Sequence, residues 1–162
     1  MIVYLILTVL LIAADQLIKY WAVTVLRPLG SLPLLQGVFH LTYVENTGAA
    51  FSMLEGRRGF FIVITLAAFL GFGWLYKSGM FRGHLGHACI ACIAGGAVGN
   101  FVDRLRLGYV IDMFDFRLIH FPVFNFADIC ITVGACLFIL VAWRDYRAEQ
   151  AREQSQKGEN GR

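Results

Sequence analysis

The sequence predicts an all-α membrane protein with four transmembrane helices. A small β-rich extramembrane portion is expected from the loops between helices 1–2 and 3–4. Three observations carry this. Of 162 residues, 58% are hydrophobic and only 15% charged, with a mean hydropathy of +0.65. An average soluble domain carries roughly 25% charged residues, so this chain lacks the polar surface to cover itself in water. Four apolar stretches also approach the ~20 residues that a helix needs to cross ~30 Å of hydrocarbon. Finally, two of the connections are rich in β-formers.

Met1 to Leu26 is apolar apart from Asp15-Gln16 and Lys19. It lacks the positive leading segment of a secretory signal and is interrupted by an acid, so a retained helix is expected. Leu29 to Glu55 follows, and its middle, Val38 to Val44, is bounded by Gly37 and Gly48 and reads as strand. Phe60 to Tyr76 is apolar and uncharged, and Lys77 to His84 is a short polar turn holding Gly79 and Gly83. Leu85 to Val102 has His87 and Asn100 as its main polar members. In the stretch Arg104 to Val123, Tyr109-Val110-Ile111 reads as a short strand after Gly108, with a stop at Pro122. Phe124 to Trp143 is the fourth span, with Asn125 and Asp128 near its start. The expected division is a four-helix membrane domain over 1–147 and a polar, disordered tail over 148–162. No internal repeat is present, and barrel strands of alternating polarity are absent.

This composition excludes a soluble enzyme, and the scattered charge excludes a nucleic-acid partner. The formal charge is only +3, from 14 Lys and Arg against 11 Asp and Glu, and nucleic-acid readers concentrate positive charge on one face. Orientation by charge is nearly balanced. The short turn and tail hold seven cations (Lys77, Arg82, Arg144, Arg147, Arg152, Lys157, Arg162), and the two long loops hold six (Arg27, Arg57, Arg58, Arg104, Arg106, Arg117). That gives a slight preference for both termini on the cytoplasmic side.

Helix alternation says more. Ends of odd helices and starts of even ones share a membrane face. Asp15, Lys19, Asn46, Asn100, Asp103, Arg104, Asp112, Asp115, Asn125 and Asp128 therefore gather at one end of the bundle. Asp128 falls about four residues into helix four, ~6 Å along its axis. Polar groups at such depth are expensive and face a cavity or a partner.

Five motifs resemble those of bacterial lipoprotein signal peptidase (signal peptidase II). They are Asp15-Gln16-Leu17-Ile18-Lys19, Glu45 to Ser52, Gly99 to Arg104, Val110-Ile111-Asp112 and Phe124 to Asp128. Each is short, but five in the right order from Asp15 to about Trp143 are specific. The resemblance implies an aspartic endopeptidase of the bacterial plasma membrane, with periplasmic β structure. It would remove the signal peptide of prolipoproteins just before a cysteine carrying diacylglycerol, using Asp112 and Asp128. It also implies a supporting role for Asp15 and places Asn46, Asn100 and Asn125 around the substrate backbone. Lys19, Gly48, Asp103 and Arg104 complete the expected site. The expected partners are lipid-modified prolipoproteins and membrane lipids, with no obligate protein partner.

Elementary chemistry agrees. Peptide hydrolysis without a metal or a Ser or Cys nucleophile needs an acid and a base around one water. Two carboxyls close enough to share a proton supply both, because neighbouring like charges resist joint ionisation. Plainer readings stand beside this one. Asp128 also fits a helix cap or a partner of Arg104; Asp112 fits a surface carboxylate. Asp15 and Lys19, four apart, fit an internal salt bridge. The three asparagines fit turns or caps, and Arg104 fits a headgroup anchor. Asp115 has Arg117 close by in sequence as a charge partner.

Cys89, Cys92, Cys130 and Cys136 lie within apolar helices, where cysteine acts as a small hydrophobe. His40 and His120 have no evident partner in the sequence, and His84 falls in the polar turn. No metal or cofactor is expected. Two further readings remain: a small transporter or channel using the intramembrane acids as a proton or ion path, and a non-catalytic membrane scaffold.

Overall fold

The computed structural model describes residues 2–48, 58–79 and 83–160. Ala49 to Ser52 of the second motif, Met1, and the charges Arg57, Arg82 and Arg162 lie outside them. Among the described residues, four helices are long and apolar enough to cross a membrane, so the chain is a mostly helical, multi-pass membrane protein.

Helix α1 (Ile2–Trp21) runs on through a π-helical turn (Ala22–Leu26) and a last turn, Arg27–Leu29. Its burial is inverted relative to a soluble helix. The two buried residues of α1 are charged, Asp15 and Lys19, while Leu5, Val9, Leu10 and Leu17 are exposed. Apolar side chains lose nothing in lipid, whereas charges must face protein.

Helix α2 (Arg58–Lys77) buries none of the residues in its spanning window. Helix α3 (Gly83–Arg106) is the hub, with Gly86, Gly95, Gly96 and Gly99 among its buried positions. Small residues let membrane helices approach closely. A Cβ on Gly99 would lie 2.5 Å from Asp15 Oδ2, and one on Gly96 would collide with the Ala127 carbonyl.

Strands β1 (Ser31–Leu35), β2 (Phe39–Asn46) and β3 (Val110–Phe116) form one antiparallel sheet in the order β1-β2-β3. Strand β3 is longer than the expected Tyr109–Ile111 segment, because Ile111, Phe114 and Phe116 pair with Glu45, Leu41 and Phe39. Asp112 therefore lies within a strand rather than on a loop. Phe124 bridges to Phe114 through two backbone hydrogen bonds of 2.8 and 3.1 Å. That bridge keeps Phe124 out of the fourth helix, which starts at Phe126.

Helix α4 (Phe126–Asn160) is longer than its span. The expected disordered tail over 148–162 is instead helical to Asn160, with no break in the backbone at 147. The sequence there is rich in Ala, Glu, Gln and Arg, all strong helix formers.

Candidate active site

The site is built on the only three donors of one buried ammonium. Lys19 Nζ contacts Asp15 Oδ2 at 2.9 Å, Asp103 Oδ2 at 2.8 Å and Asn100 Oδ1 at 2.9 Å. An ammonium has three protons, so all are used. The two acids in turn hold the elements that carry the candidate pair. Asp15 Oδ1 accepts the Ala127 N–H at 3.0 Å, which fixes the start of α4. Asp103 Oδ2 accepts the Ile111 N–H at 3.3 Å, which fixes the start of β3.

Asp128 is the third residue of α4 and closes a reciprocal cap. Asn125 Oδ1 accepts the Asp128 N–H at 3.0 Å, and Asp128 Oδ2 accepts the Asn125 N–H at 3.1 Å. This is the capping-box arrangement, with each residue satisfying the other's orphan donor. Its remaining oxygen, Oδ1, accepts Asn100 Nδ2 at 2.8 Å. The cap reading of Asp128 is thus correct and compatible with chemistry; among the described residues its ion pair with Arg104 is not formed.

Asp112 is 1% exposed. Asn46 Nδ2 donates to its Oδ2 at 2.8 Å, and Asn125 Nδ2 donates to its Oδ1 at 2.6 Å. Asn125 Nδ2 also donates to Asn100 Oδ1 at 3.1 Å. Two amides therefore link Asp112 to Asp128. Burial pushes the Asp112 carboxyl up to about 6, with the Asp128 charge acting in the same direction and the two asparagine hydrogen bonds opposing it. Four carboxyls (Asp15, Asp103, Asp112, Asp128) and two cations (Lys19, Arg104) make up this cluster, so a proton held by Asp112 relieves its charge.

Asn100 and Asn125 are thus bridges rather than the turn residues that their type suggests; Asn125 is a cap as well. Asn46 ends β2, and its Oδ1 accepts the Gly48 N–H at 2.9 Å. Arg104 donates to the Gly48 carbonyl at 3.4 Å and lies 4.8 Å from the centre of the Phe61 ring.

Asp115 lies three residues beyond Asp112 and so on the other face of the strand. There it accepts Arg117 Nε at 2.8 Å and Thr42 Oγ1 at 2.7 Å. Burial pushes its carboxyl up, but these two bonds outweigh it and hold the group below its ordinary value. His40 has partners that the sequence did not reveal. Its Nε2 accepts the Gly37 N–H at 3.2 Å, and its Nδ1 lies 3.5 Å from Ser31 Oγ. His120 occupies a left-handed turn at φ 51°.

Sequence reasoning missed Gln16, whose Nε2 reaches Asp15 Oδ2 at 3.2 Å and Asp103 Oδ1 at 3.0 Å. The signal was present, since Gln16 stands inside a motif and one residue from a buried acid. It also missed the cavity of about 770 Å³ beneath the pair. Asp112, Asp128, Asn46, Asn100 and Arg104 line one end, and Ile64, Phe69, Phe72, Ile90, Ile93 and Ile131 line the rest. Among the described residues, no cluster of three or more His, Cys, Asp or Glu has a metal-binding arrangement.

Four membrane helices, a small sheet, and a buried polar site at the head of an apolar cavity define a membrane-embedded enzyme. Two solved bacterial membrane enzymes, both obtained by the in meso method, share this fold. The first aligns with a TM-score of 0.80 and 28% identity over 89% of each chain. The second gives 0.74 and 29%, over 88% of this chain and 94% of its own. Residues 7–144 match the signal peptidase (SPase) II family. The lipoprotein signal peptidase of Clostridioides difficile is 43% identical over 140 residues, covering 85% of this chain and 94% of that protein. That of Lactiplantibacillus plantarum is 40% identical over 152 residues, covering 88% and 95%. The chain belongs to the signal peptidase II family, and it is therefore a protease of lipoprotein processing.

Proposed function

We propose that the protein is an aspartic endopeptidase that removes the signal peptide from diacylglyceryl-modified prolipoproteins, cleaving just before the lipidated cysteine. The observation that carries this reading is the linkage of Asp112 and Asp128 through Asn125 and Asn100, at the head of one cavity. The ionised partner draws a proton from a water between them, and the resulting hydroxide attacks the scissile carbonyl carbon. The protonated partner donates a hydrogen bond to the carbonyl oxygen. Collapse of the tetrahedral intermediate then returns a proton to the departing cysteine nitrogen.

Asp15, Lys19 and Asp103 position the pair through the Ala127 and Ile111 amides. Asn46, Gly48 and Arg104 line the side by which the substrate backbone enters. The charged and amide side chains sit at one end of the cavity, which does not supply the through-membrane path that a transporter needs. In the cell, the site faces the periplasmic side of the inner membrane and both termini are cytoplasmic. A diacylglyceryl group buries many methylenes, at ~0.8 kcal/mol each, and so holds the modified cysteine at the depth of the pair.

The test is cleavage of a synthetic prolipoprotein by purified protein, with the cysteine either modified or free. Cleavage of the modified form alone, between the preceding residue and the cysteine, is expected. Equal cleavage of both forms, or cleavage elsewhere, overturns the reading.

A further inference from the structure

Asp112, Phe114 and Phe116 alternate along β3 and so share one face of the strand. The segment that leads into α4 lies against that face. The Phe124 carbonyl accepts two N–H groups, from Met113 at 3.0 Å and from Phe114 at 2.8 Å, and the Phe124 N–H donates to the Phe114 carbonyl at 3.1 Å. These atoms stand next to the proposed machinery. Met113 follows Asp112, and the Phe124 carbonyl belongs to the peptide bond that Asn125 shares. Asn125 reaches across to Asp112 Oδ1 at 2.6 Å and caps α4 together with Asp128. The reach of that one amide therefore depends on how firmly Phe124 is held to β3.

Backbone bonds alone hold it poorly. The Phe114–Phe124 pairing is an isolated bridge, and two-stranded pairing is marginal in water without side-chain packing. Phenylalanine rings supply the packing. The Phe124 ring centre lies 5.5 Å from that of Phe114, and 6.0 Å from that of Phe116 with the planes 7° apart. Phe121 meets it edge-on at 5.7 Å. Phe39 on β2 backs the group, 4.6 Å from Phe116 and 6.4 Å from Phe114. These separations fall in the range where ring pairs attract. Phe121 and Phe124 belong to the cavity lining, whereas Phe39, Phe114 and Phe116 stand outside it.

Resting on the function proposed above, we infer that Phe114 and Phe116 are positioning residues for the aspartate pair: their rings clamp Phe124, whose backbone sets the reach of Asn125 to Asp112. Because neither lines the cavity, they act on turnover through Phe124 and not through bound substrate. A slack clamp lets the start of α4 drift from β3, and a misplacement of ~1 Å at reacting groups costs up to ~10²-fold in rate.

The test is made on cleavage of a diacylglyceryl-modified peptide by the purified protein. Phe116→Ala removes the ring stacked on Phe124 from a side chain already 39% exposed, so little packing elsewhere is lost. Its kcat should fall about tenfold or more, with KM nearly unchanged. Phe114→Ala should act in the same direction, and Phe116→Tyr, which keeps the ring, should restore turnover. Leu118→Ala, at a position 65% exposed just beyond the strand, should match the unaltered protein. The Asn125 hydrogen bond opposes the upward push of burial on the Asp112 carboxyl. Loosening it in Phe116→Ala should therefore move the alkaline limb of kcat/KM to higher pH. A mere loss of folded protein would lower kcat and leave that limb in place. That result, an unchanged kcat, or a loss confined to KM overturns the assignment. Backbone hydrogen exchange at Met113 and Phe114 reads the clamp without cleavage, and it should quicken in Phe116→Ala but not in Leu118→Ala. Quickened exchange in a protein whose unaltered form cleaves nothing would support the clamp while overturning the peptidase reading; unchanged exchange overturns the clamp.

Discussion

Replacing Lys19 by methionine tests the central electrostatic claim. The side chain keeps its length but loses three contacts of 2.8–2.9 Å, at 2% exposure. Asp15 and Asp103 are then left buried with 1% and 4% side-chain exposure and no ammonium. Breaking a buried ion pair from one side costs ~3–5 kcal/mol, because the remaining charge is uncompensated. For a chain of this length, that corresponds to a fall in Tm on the order of 10 °C.

The internal control is Arg144, which contacts Asp145 at the same 2.8 Å but with side chains 52% and 50% exposed. Exposed pairs contribute ~0–1 kcal/mol, so Arg144→Ala should melt with the unaltered protein. Thermal unfolding in one detergent, followed by tryptophan fluorescence, reads both variants. Adding Asp103→Asn to Lys19→Met removes one stranded charge, so the double variant should melt above the single one. A Lys19→Met protein as stable as Arg144→Ala, or a double variant less stable than the single, would refute the reasoning. Distance alone would then not be what separates these pairs, but neither would burial.

Asp112→Asn and Asp128→Asn should each reduce turnover by ~10²–10⁴-fold while the protein still accumulates in the membrane, whereas Asp115→Asn should keep most of it. The reverse pattern in a cleavage assay would reassign the pair. With the Asp112 carboxyl pushed up to about 6, kcat/KM should fall as pH rises through that value, because Asp112 then loses the proton with which it bonds the scissile carbonyl oxygen. Stability moves in the same direction. The folded state binds the extra proton between the ordinary carboxyl value of 3.8 and about 6, so this group's contribution is present at low pH and lost as pH rises through that window. Asn46→Ala removes a hydrogen bond that lowers the Asp112 value, so the alkaline limb of its pH profile should move upward, and an unmoved limb would contradict the contact. Deleting 148–162 should leave cleavage unchanged, since Gln150 and its neighbours in that segment are exposed; a large drop at normal protein level would give the helical extension a role.

Sequence patterning made the spans legible because a membrane helix is a local sum: about twenty apolar residues suffice, whatever they touch. The same locality explains its two shortfalls. Residues 148–162 read as disordered from their polarity, yet their helix-forming composition extends α4 to Asn160. Phe124 read as helix from hydropathy, but its bridge to Phe114 makes it the edge of the sheet.

What the sequence determined by itself was the class, the four spans, the gathering of the acids at one end, and the family resemblance carried by five motifs. Which groups meet there was decided only by the tertiary structure. Lys19 and Asn100 stand 81 positions apart and bond at 2.9 Å; Asp15 and Ala127 stand 112 apart and bond at 3.0 Å. No pattern along the chain encodes such pairs, because hydrogen bonds require placement to a few tenths of an ångström, and that placement comes from glycines such as Gly96 and Gly99 letting three helices close together. Strand geometry likewise separated Asp112 from Asp115, three positions apart, onto opposite faces. The cavity exists because Phe72, Ile93 and Ile131, on three different helices, face one another beside the polar end.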